Sequence, residues 1–262
     1  MRLWSFVLCC ALIPTIVQSE EPKPTPAQWV TIKGRIVFPE NKPIPKRLPL
    51  NLGANNGACL ANGAILDETA IVNPKNRGIK NVVVFLRPLN PQTKEFTKGE
   101  IHPDDAKRKP AELTITQPCC MFVDRVLAAR VGDTIVVNNP AAMVHNFFWA
   151  SGENAEYNAN IPAKGLWKMP KPLVAESTPI QYKCTVHPWM TGYVRIFDHP
   201  YYAVTDEDGN FVIKNAPAGQ FRIVYWHETG VRGGKDGRFG EPIAIAGPTM
   251  EMKPVDFDVT PK

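Results

Sequence analysis

Residues 180–197 read IQYKCTVHPWMTGYVRIF, and this stretch decides both how the chain folds and where its chemistry sits. Ile180 to Lys183 and Gly192 to Phe197 are β-branched and aromatic runs, so they predict two strands joined by a tight loop. Inside the loop, Cys184, His187 and Met190 follow one another at three-residue steps. A loop between paired strands can turn a thiolate, an imidazole and a thioether toward one point.

The same kind of run recurs outward in both directions. WVTIKGRIVF, NVVVFLRP, ELTIT, TIVVNN, FVIKN and FRIVYW are further strand candidates separated by turn residues. No sustained helical period is present, and 26 prolines argue against long helices. The expected fold class is therefore all-β, of the sandwich or barrel kind. His145 follows the strand expected at Thr134 to Asn139 and the turn around Pro140, so a neighbouring strand can bring its imidazole to the Cys184 loop.

The N-terminus points to export. Met1-Arg2 starts with a positive charge, Leu3 to Val17 is almost wholly apolar, and Val17-Gln18-Ser19 offers a cleavage point before Glu20. Residues 1–19 are read as a signal peptide, with a retained anchor as the alternative, and residues 20–28 (EEPKPTPAQ) as a proline-rich tether. Losing Arg2 takes the formal charge from +5 to +4, with both signs mixed along the chain and no basic stripe for nucleic acid. No later apolar run is long enough to span a bilayer. The expected product is periplasmic or extracellular.

Four cysteines survive cleavage, Cys59, Cys119, Cys120 and Cys184. In an exported protein thiols tend to pair or to bind metal. Alternation through residues 120–126 puts Cys120 on the face of Phe122 and Val126, which favours a Cys59–Cys120 disulfide with Cys119 left over. The sequence leaves a Cys59–Cys119 bridge open. Cys184 has the metal-like context. Two imidazoles, a thiolate and a weak axial thioether (His145, His187, Cys184, Met190) form the ligand set of a blue-copper electron-transfer site. Zinc is the rival for Cys–His–His donors, and the soft thioether favours copper.

These residues also carry a resemblance. Gly132-Asp133-Thr134-Ile135-Val136-Val137-Asn138-Asn139, then His145-Asn146, then Cys184-x-x-His187-x-x-Met190-x-Gly192 resembles a cupredoxin with a short, amicyanin-like ligand loop. The resemblance implies a Greek-key sandwich over residues 112–198 that holds one copper ion through His145, Cys184, His187 and Met190. It further implies that the Asn146 backbone N–H bonds the Cys184 sulfur and that the edge of His187 reaches solvent. Pro188, Trp189, Phe147 and Phe148 would then supply an apolar docking surface for a partner redox protein. The flanking segments, Gly34-Arg35-Ile36-Val37 with Pro43 and Thr205-Asp206-Glu207-Asp208-Gly209-Asn210-Phe211-Val212-Ile213 with Pro217-Ala218-Gly219, resemble a carboxypeptidase regulatory-like, transthyretin-like sandwich.

The expected organisation is thus an outer sandwich built from residues 29–88 and 199–262, a charged exposed loop at residues 89–111, and the cupredoxin-like unit inserted between them. One larger sandwich is the alternative. The whole chain is loosely similar to exported plastocyanin-like proteins of methylamine utilisation. The function this implies is one-electron exchange without catalysis. The alternatives are an envelope binding module with a vestigial copper site, or a copper subunit of a larger oxidoreductase. His102 is expected to be solvated, and His199 and His227-Glu228 to flank outer strands, with a His227/Glu228 metal or acid–base pair as a minor possibility. There is no phosphate loop, nucleophile elbow or zinc-protease motif.

Overall fold

The computed structural model describes residues 29–53, 57–61, 63–93 and 95–261, so the expected signal peptide and tether lie outside the described residues. The strands are β1 (Trp29–Val37), β2 (Val83–Pro88), β3 (Glu112–Thr116), β4 (Val126–Arg130), β5 (Thr134–Asn138), β6 (His145–Trp149), β7 (Tyr157–Ile161), β8 (Leu166–Lys168) and β9 (Ile180–Lys183). They continue with β10 (Thr191–Phe197), β11 (Tyr202–Val204), β12 (Asn210–Pro217), β13 (Gly219–His227), β14 (Gly230–Val231), β15 (Glu241–Ile245), β16 (Thr249–Glu251) and β17 (Val255–Asp256). The described helices are short, none longer than the four residues of Gly57–Leu60, Pro103–Ala106 and Gly234–Gly237. No described helix is long and apolar enough to cross a membrane.

Two sheets draw only on residues 112–197. One has the order β4-β10-β9-β6-β7 and the other β3-β5-β8. The remaining two join the chain ends: β12-β1-β16 with β17 also on β1, and β11-β2-β13-β14 with β15 on β13. The alternating burial of β1 turns Val30, Ile32 and Ile36 inward, and Ile32 sits opposite Ile213 on β12. The turn before β12 forms at Asp206–Asn210, where Asp206 Oδ1 accepts from the backbone N–H groups of Asp208 and Asn210. Gly209 sits there at φ 77°, a conformation glycine adopts without a Cβ clash.

Each pair of sheets encloses its own apolar core. Ile36, Leu86, Phe211 and Tyr225 belong to the one built from the chain ends, and Ile135, Phe147, Trp149 and Tyr182 to the other. The second core also takes in Leu52, Cys59 and Ile65 from the segment between β1 and β2. A smaller cluster, Val83, Phe85, Val126, Phe197 and Val224, lies where the sheets meet.

Several expectations are corrected. Residues 117–125 form an irregular loop closed by a Thr116–Val123 bridge, with Cys119 and Cys120 both at positive φ, so alternation along a strand does not apply there. The charged loop is not wholly solvent-facing, because Phe96 and Ile101 pack on the outer core. His102 caps the Pro103–Ala106 helix through Nδ1 and packs edge-on against Trp29, with ring centroids 4.9 Å apart, rather than standing in solvent. Glu228 is taken by Arg125 through contacts of 2.7 and 2.8 Å, while His227 Nδ1 lies 2.9 Å from the Thr229 hydroxyl. The two neighbours therefore form no metal or acid–base pair.

Gly192 on β10 faces the buried ring of Tyr182, and a Cβ there would fall 2.3 Å from Cζ. The ring is held because its hydroxyl bonds the Asp124 carbonyl at 2.7 Å. Gly192→Ala should therefore lower stability by about 1–3 kcal/mol or more, read from denaturant midpoints. Burial, aided by Arg130, Arg195 and Arg87, pushes His199 down to about 3 from its ordinary 6.5. Between those values the unfolded chain binds more protons than the folded one, so this contribution is intact above pH 6.5 and is lost as pH falls toward about 3. His199→Gln should make acid unfolding shallower across that window.

Candidate metal centre

The site stands at the ends of two paired strands. β6 and β9 are antiparallel, with Phe148 opposite Lys183 and Trp149 opposite Tyr182. Side chains alternate across a strand, so His145, Phe147 and Trp149 share the inward face of β6, and all three are fully buried. Ile180, Tyr182 and Cys184 form the matching inward row on β9 and just beyond it. His145 and Cys184 thus extend two rows of core residues to the sandwich edge.

The loop that follows is closed by its own main chain. Cys184 N–H donates to the Met190 carbonyl at 3.0 Å, and Met190 N–H donates to the His187 carbonyl at 2.9 Å. Three ligand atoms, one each from His145, Cys184 and His187, lie within 4.8 Å of one another. The two Nδ1 atoms face each other at 3.0 Å, and Cys184 Sγ lies 3.7 Å from His187 Nδ1. Met190 is buried in the same core as Cys184, with its backbone bonded to both Cys184 and His187.

Burial keeps the two imidazoles neutral. Burial, then the neighbouring His187, pushes His145 down to about 4, and burial lowers His187. Two neutral imidazoles whose Nδ1 atoms face each other beside a thiol, in a buried place, offer the nitrogen and sulfur donors a soft cation needs. The residues fit a copper ion on this ground. His145 Nε2 is buried without a hydrogen-bond partner among the described residues, so the outer partner that usually orients a ligand histidine is missing on that side.

Asn146 holds the surroundings together. Its backbone N–H points at Cys184 Sγ at 3.3 Å, as the resemblance implied. Its side-chain amide donates to Asn158 Oδ1 at 2.8 Å and to Asn160 Oδ1 at 3.1 Å, while its Oδ1 accepts from Thr185 N–H at 3.3 Å. Gln117, fully buried, donates to the Asn146 carbonyl at 3.0 Å. The sequence reading missed Gln117, because a lone polar residue after a strand carries no signal of its own.

The expected Cys59–Cys120 disulfide is present, with Cα atoms 5.5 Å apart, and Cys184 is outside any disulfide. Its position was not foreseen: both sulfurs lie within 4.8 Å of a His187 ring nitrogen. Trp189 packs with its ring 5.3 Å from that of His187 and donates its indole N–H to the Cys120 carbonyl at 3.1 Å. His187 is consequently only 6% exposed, which corrects the expected solvent-facing edge. Phe147 has no exposure and provides no docking surface, while Phe148 is half-buried under Lys183, whose Nζ lies 5.1 Å from the ring centroid. Pro188 is exposed and Trp189 half-buried.

No family model and no curated protein sequence matches this chain. Solved structures that resemble part of it include a reduced tryptophan-to-tyrosine mutant of amicyanin, at 23% identity over 36% of this chain and 89% of that chain, with a TM-score of 0.30. Another is a Cu(I) methionine-to-alanine mutant of amicyanin, at 20% identity over 44% of this chain and 98% of that chain, with a TM-score of 0.28. A third is amicyanin from Paracoccus versutus, at 20% identity over 32% of this chain and 80% of that chain, with a TM-score of 0.29.

Asn146→Ala keeps the backbone N–H but removes the side-chain bonds to Asn158, Asn160 and Thr185. Loosening groups that orient ligands commonly costs about 10–100-fold in metal affinity. A loss in that range, by competition against a chelator and with unchanged far-ultraviolet circular dichroism, is the expected outcome.

Proposed function

We propose that this chain is an exported electron-transfer protein that holds one mononuclear copper ion through His145, Cys184, His187 and Met190. The observation that carries the reading is the convergence of two neutral imidazoles and a thiol on one buried point, with the Asn146 N–H aimed at the sulfur. A copper ion bound there supplies single-electron exchange. The chain's own residues fix the donors, exclude water and tune the thiolate through its backbone hydrogen bond. Met190, next to the loop's closing bonds, would supply the weak thioether donor.

The chain then acts by contact with a partner redox protein rather than as an enzyme. Since His187 is covered, the partner approaches through Pro188 and Trp189, flanked by Val186 (49% exposed) and Val144 (46% exposed). A modest apolar patch suits the small interfaces of weak redox encounters. Residues 112–198 are proposed as a copper-binding unit inserted into a transthyretin-like sandwich of residues 29–88 and 199–262. This division is supported by two sheets drawn only from residues 112–197 and two that join the chain ends.

The oxidised, copper-loaded protein should show an intense visible charge-transfer band from the Cu–thiolate bond. Cys184→Ala should abolish it, and Met190→Leu should keep the band while shifting the reduction potential. A colourless wild type that takes zinc in preference to copper overturns the reading.

A further inference from the structure

Beside the ligand set just described lies a second group with metal-binding spacing. Cys59 Sγ, Cys120 Sγ and a His187 ring nitrogen all lie within 4.8 Å of one another, and all three residues are buried. Met143 adds a fourth soft donor, its Sδ standing 3.4 Å from Cys120 Sγ. In the structure the two cysteines are joined, so neither sulfur can serve as a thiolate ligand. We propose that reduction of the Cys59–Cys120 disulfide opens a second, copper(I)-binding site formed by the Cys59 and Cys120 thiolates with Met143 and His187 at its edge.

Both cysteines are held in place by bonds other than the disulfide. The loop carrying Cys120 is pinned at its base, where Thr116 and Val123 exchange backbone hydrogen bonds of 2.8 and 3.3 Å. Trp189 Nε1–H holds the Cys120 carbonyl at 3.1 Å. Cys119 Sγ–H bridges to the Cys59 carbonyl at 3.7 Å, tying one loop to the other. Cys59 lies in the short Gly57–Leu60 helix, and Leu50 N–H donates to the Ile65 carbonyl at 2.8 Å on its flank. Cys59, Leu52 and Ile65 are buried in the same core as Cys120 and Cys184. Breaking the S–S bond therefore leaves the two sulfurs facing each other across a short gap.

The backbone adds a second sign that this place is more than a structural clasp. Cys119 and Cys120 are consecutive non-glycine residues at φ 52° and 60°. Such residues are strained and persist where the surroundings hold them, commonly at functional sites. Access is provided as well. A cavity of about 250 Å³ is lined by Cys120, Met121, Trp189, Leu50, Ile65 and Thr191 and reaches one wall of the disulfide.

The chemistry balances without any change in the oxidation state of copper. A dithiol reductant gives two electrons and two protons to the S–S bond and itself becomes a disulfide, leaving two thiols on the chain. Copper(I) then displaces the two thiol protons to solvent. Thiolates and a thioether select copper(I), whereas zinc gains little from Met143. The two ligand sets meet at His187, so with both filled the inner ion takes that imidazole together with His145 and Cys184, while the outer ion is held by Cys59, Cys120 and Met143.

This inference shares His187 with the proposed copper centre but stands on different sulfurs, and one titration separates the two. The full-length protein is titrated anaerobically with copper(I) against a chromophoric chelator, before and after reduction with a water-soluble phosphine. The wild type should take up one equivalent when oxidised and two when reduced. The Cys59→Ser/Cys120→Ser double variant should hold one in both conditions, and Cys184→Ala should bind one only after reduction. The Cys184→Ala arm keeps the test decisive if the double variant fails to fold. A reduced wild type that takes up no more copper(I) than the oxidised protein, an added equivalent that survives in the double variant, or a reduced pair that prefers zinc(II) over copper(I) overturns the proposal. Should the oxidised protein bind none while the reduced one binds an equivalent that Cys59→Ser/Cys120→Ser removes, the electron-transfer reading fails and this one stands.

Discussion

The register between β6 and β9 is the constraint on which the site depends. Phe148 opposite Lys183 and Trp149 opposite Tyr182 put Phe147 across from Cys184, and the antiparallel ladder then carries Asn146 to Thr185. Two further contacts report the same alignment, the Asn146 N–H on Cys184 Sγ and the Thr185 N–H on Asn146 Oδ1. A slip of one residue would turn His145 and its row-mates Phe147 and Trp149 out of the core, since side chains alternate with period two. Two large apolar or aromatic residues per strand, Phe147 and Trp149 on β6 and Ile180 and Tyr182 on β9, thus secure the placement of one imidazole and one sulfur. The chemistry inherits its precision from the packing of residues that take no part in it.

The parts of this arrangement that were legible in the sequence are the local ones. The loop from Cys184 to Met190 declares itself because its donors are close in sequence and flanked by strong strand patterns. Long runs such as Trp29–Val37 and Gly219–His227 were equally plain. Short strands such as Val126–Arg130, Tyr157–Ile161 and Leu166–Lys168 were not, since they are polar or alanine-rich and exist through their partners. The Cys59–Cys120 pairing was anticipated from an alternation that the backbone does not follow. Cys120 is buried because a left-handed turn places it there. The cover over His187 was illegible for another reason: Cys59 comes from over a hundred residues upstream, and no local pattern records so distant a contact. His145, Phe147 and Trp149, by contrast, do alternate. A strict period-two reading of HNFFW would have put Phe147 in the core instead of on a docking surface.

The outer sandwich is joined to the site by one buried ion pair as well as by apolar packing. Arg125 sits just before β4, Glu228 just after β13, and their side chains are 11% and 6% exposed. Taking both charges out of water is costly, so their attraction is poor evidence of net stability. Its value here is positional. Arg125 also donates to the Thr191 carbonyl at 2.9 Å, one residue beyond Met190, and its own carbonyl accepts from Tyr193 N–H at 2.7 Å. The end of the ligand loop is therefore anchored to a charge held by the other sandwich, and the Val83, Phe85, Val126, Phe197 and Val224 cluster lies at the same seam.

These anchors bear on how a metal is received. In small metal-dependent domains the ligands come together only when the ion binds, and the cost of ordering them is subtracted from the affinity. Here the donors are already placed by bonds that involve no ion: the ladder between β6 and β9, the Cys184–Met190 closure, and the Asn146 side chain. Little ordering remains for the metal to drive. The cost has been met on folding, in two imidazoles held neutral by burial and in a His145 Nε2 that has no hydrogen-bond partner among the described residues. Such a frame resists the rearrangement that different oxidation states of a metal would otherwise prefer, because moving any one donor means breaking a backbone bond or displacing a packed ring. Rigidity of this kind would suit the proposed one-electron exchange, and it follows from the sandwich rather than from the donors alone.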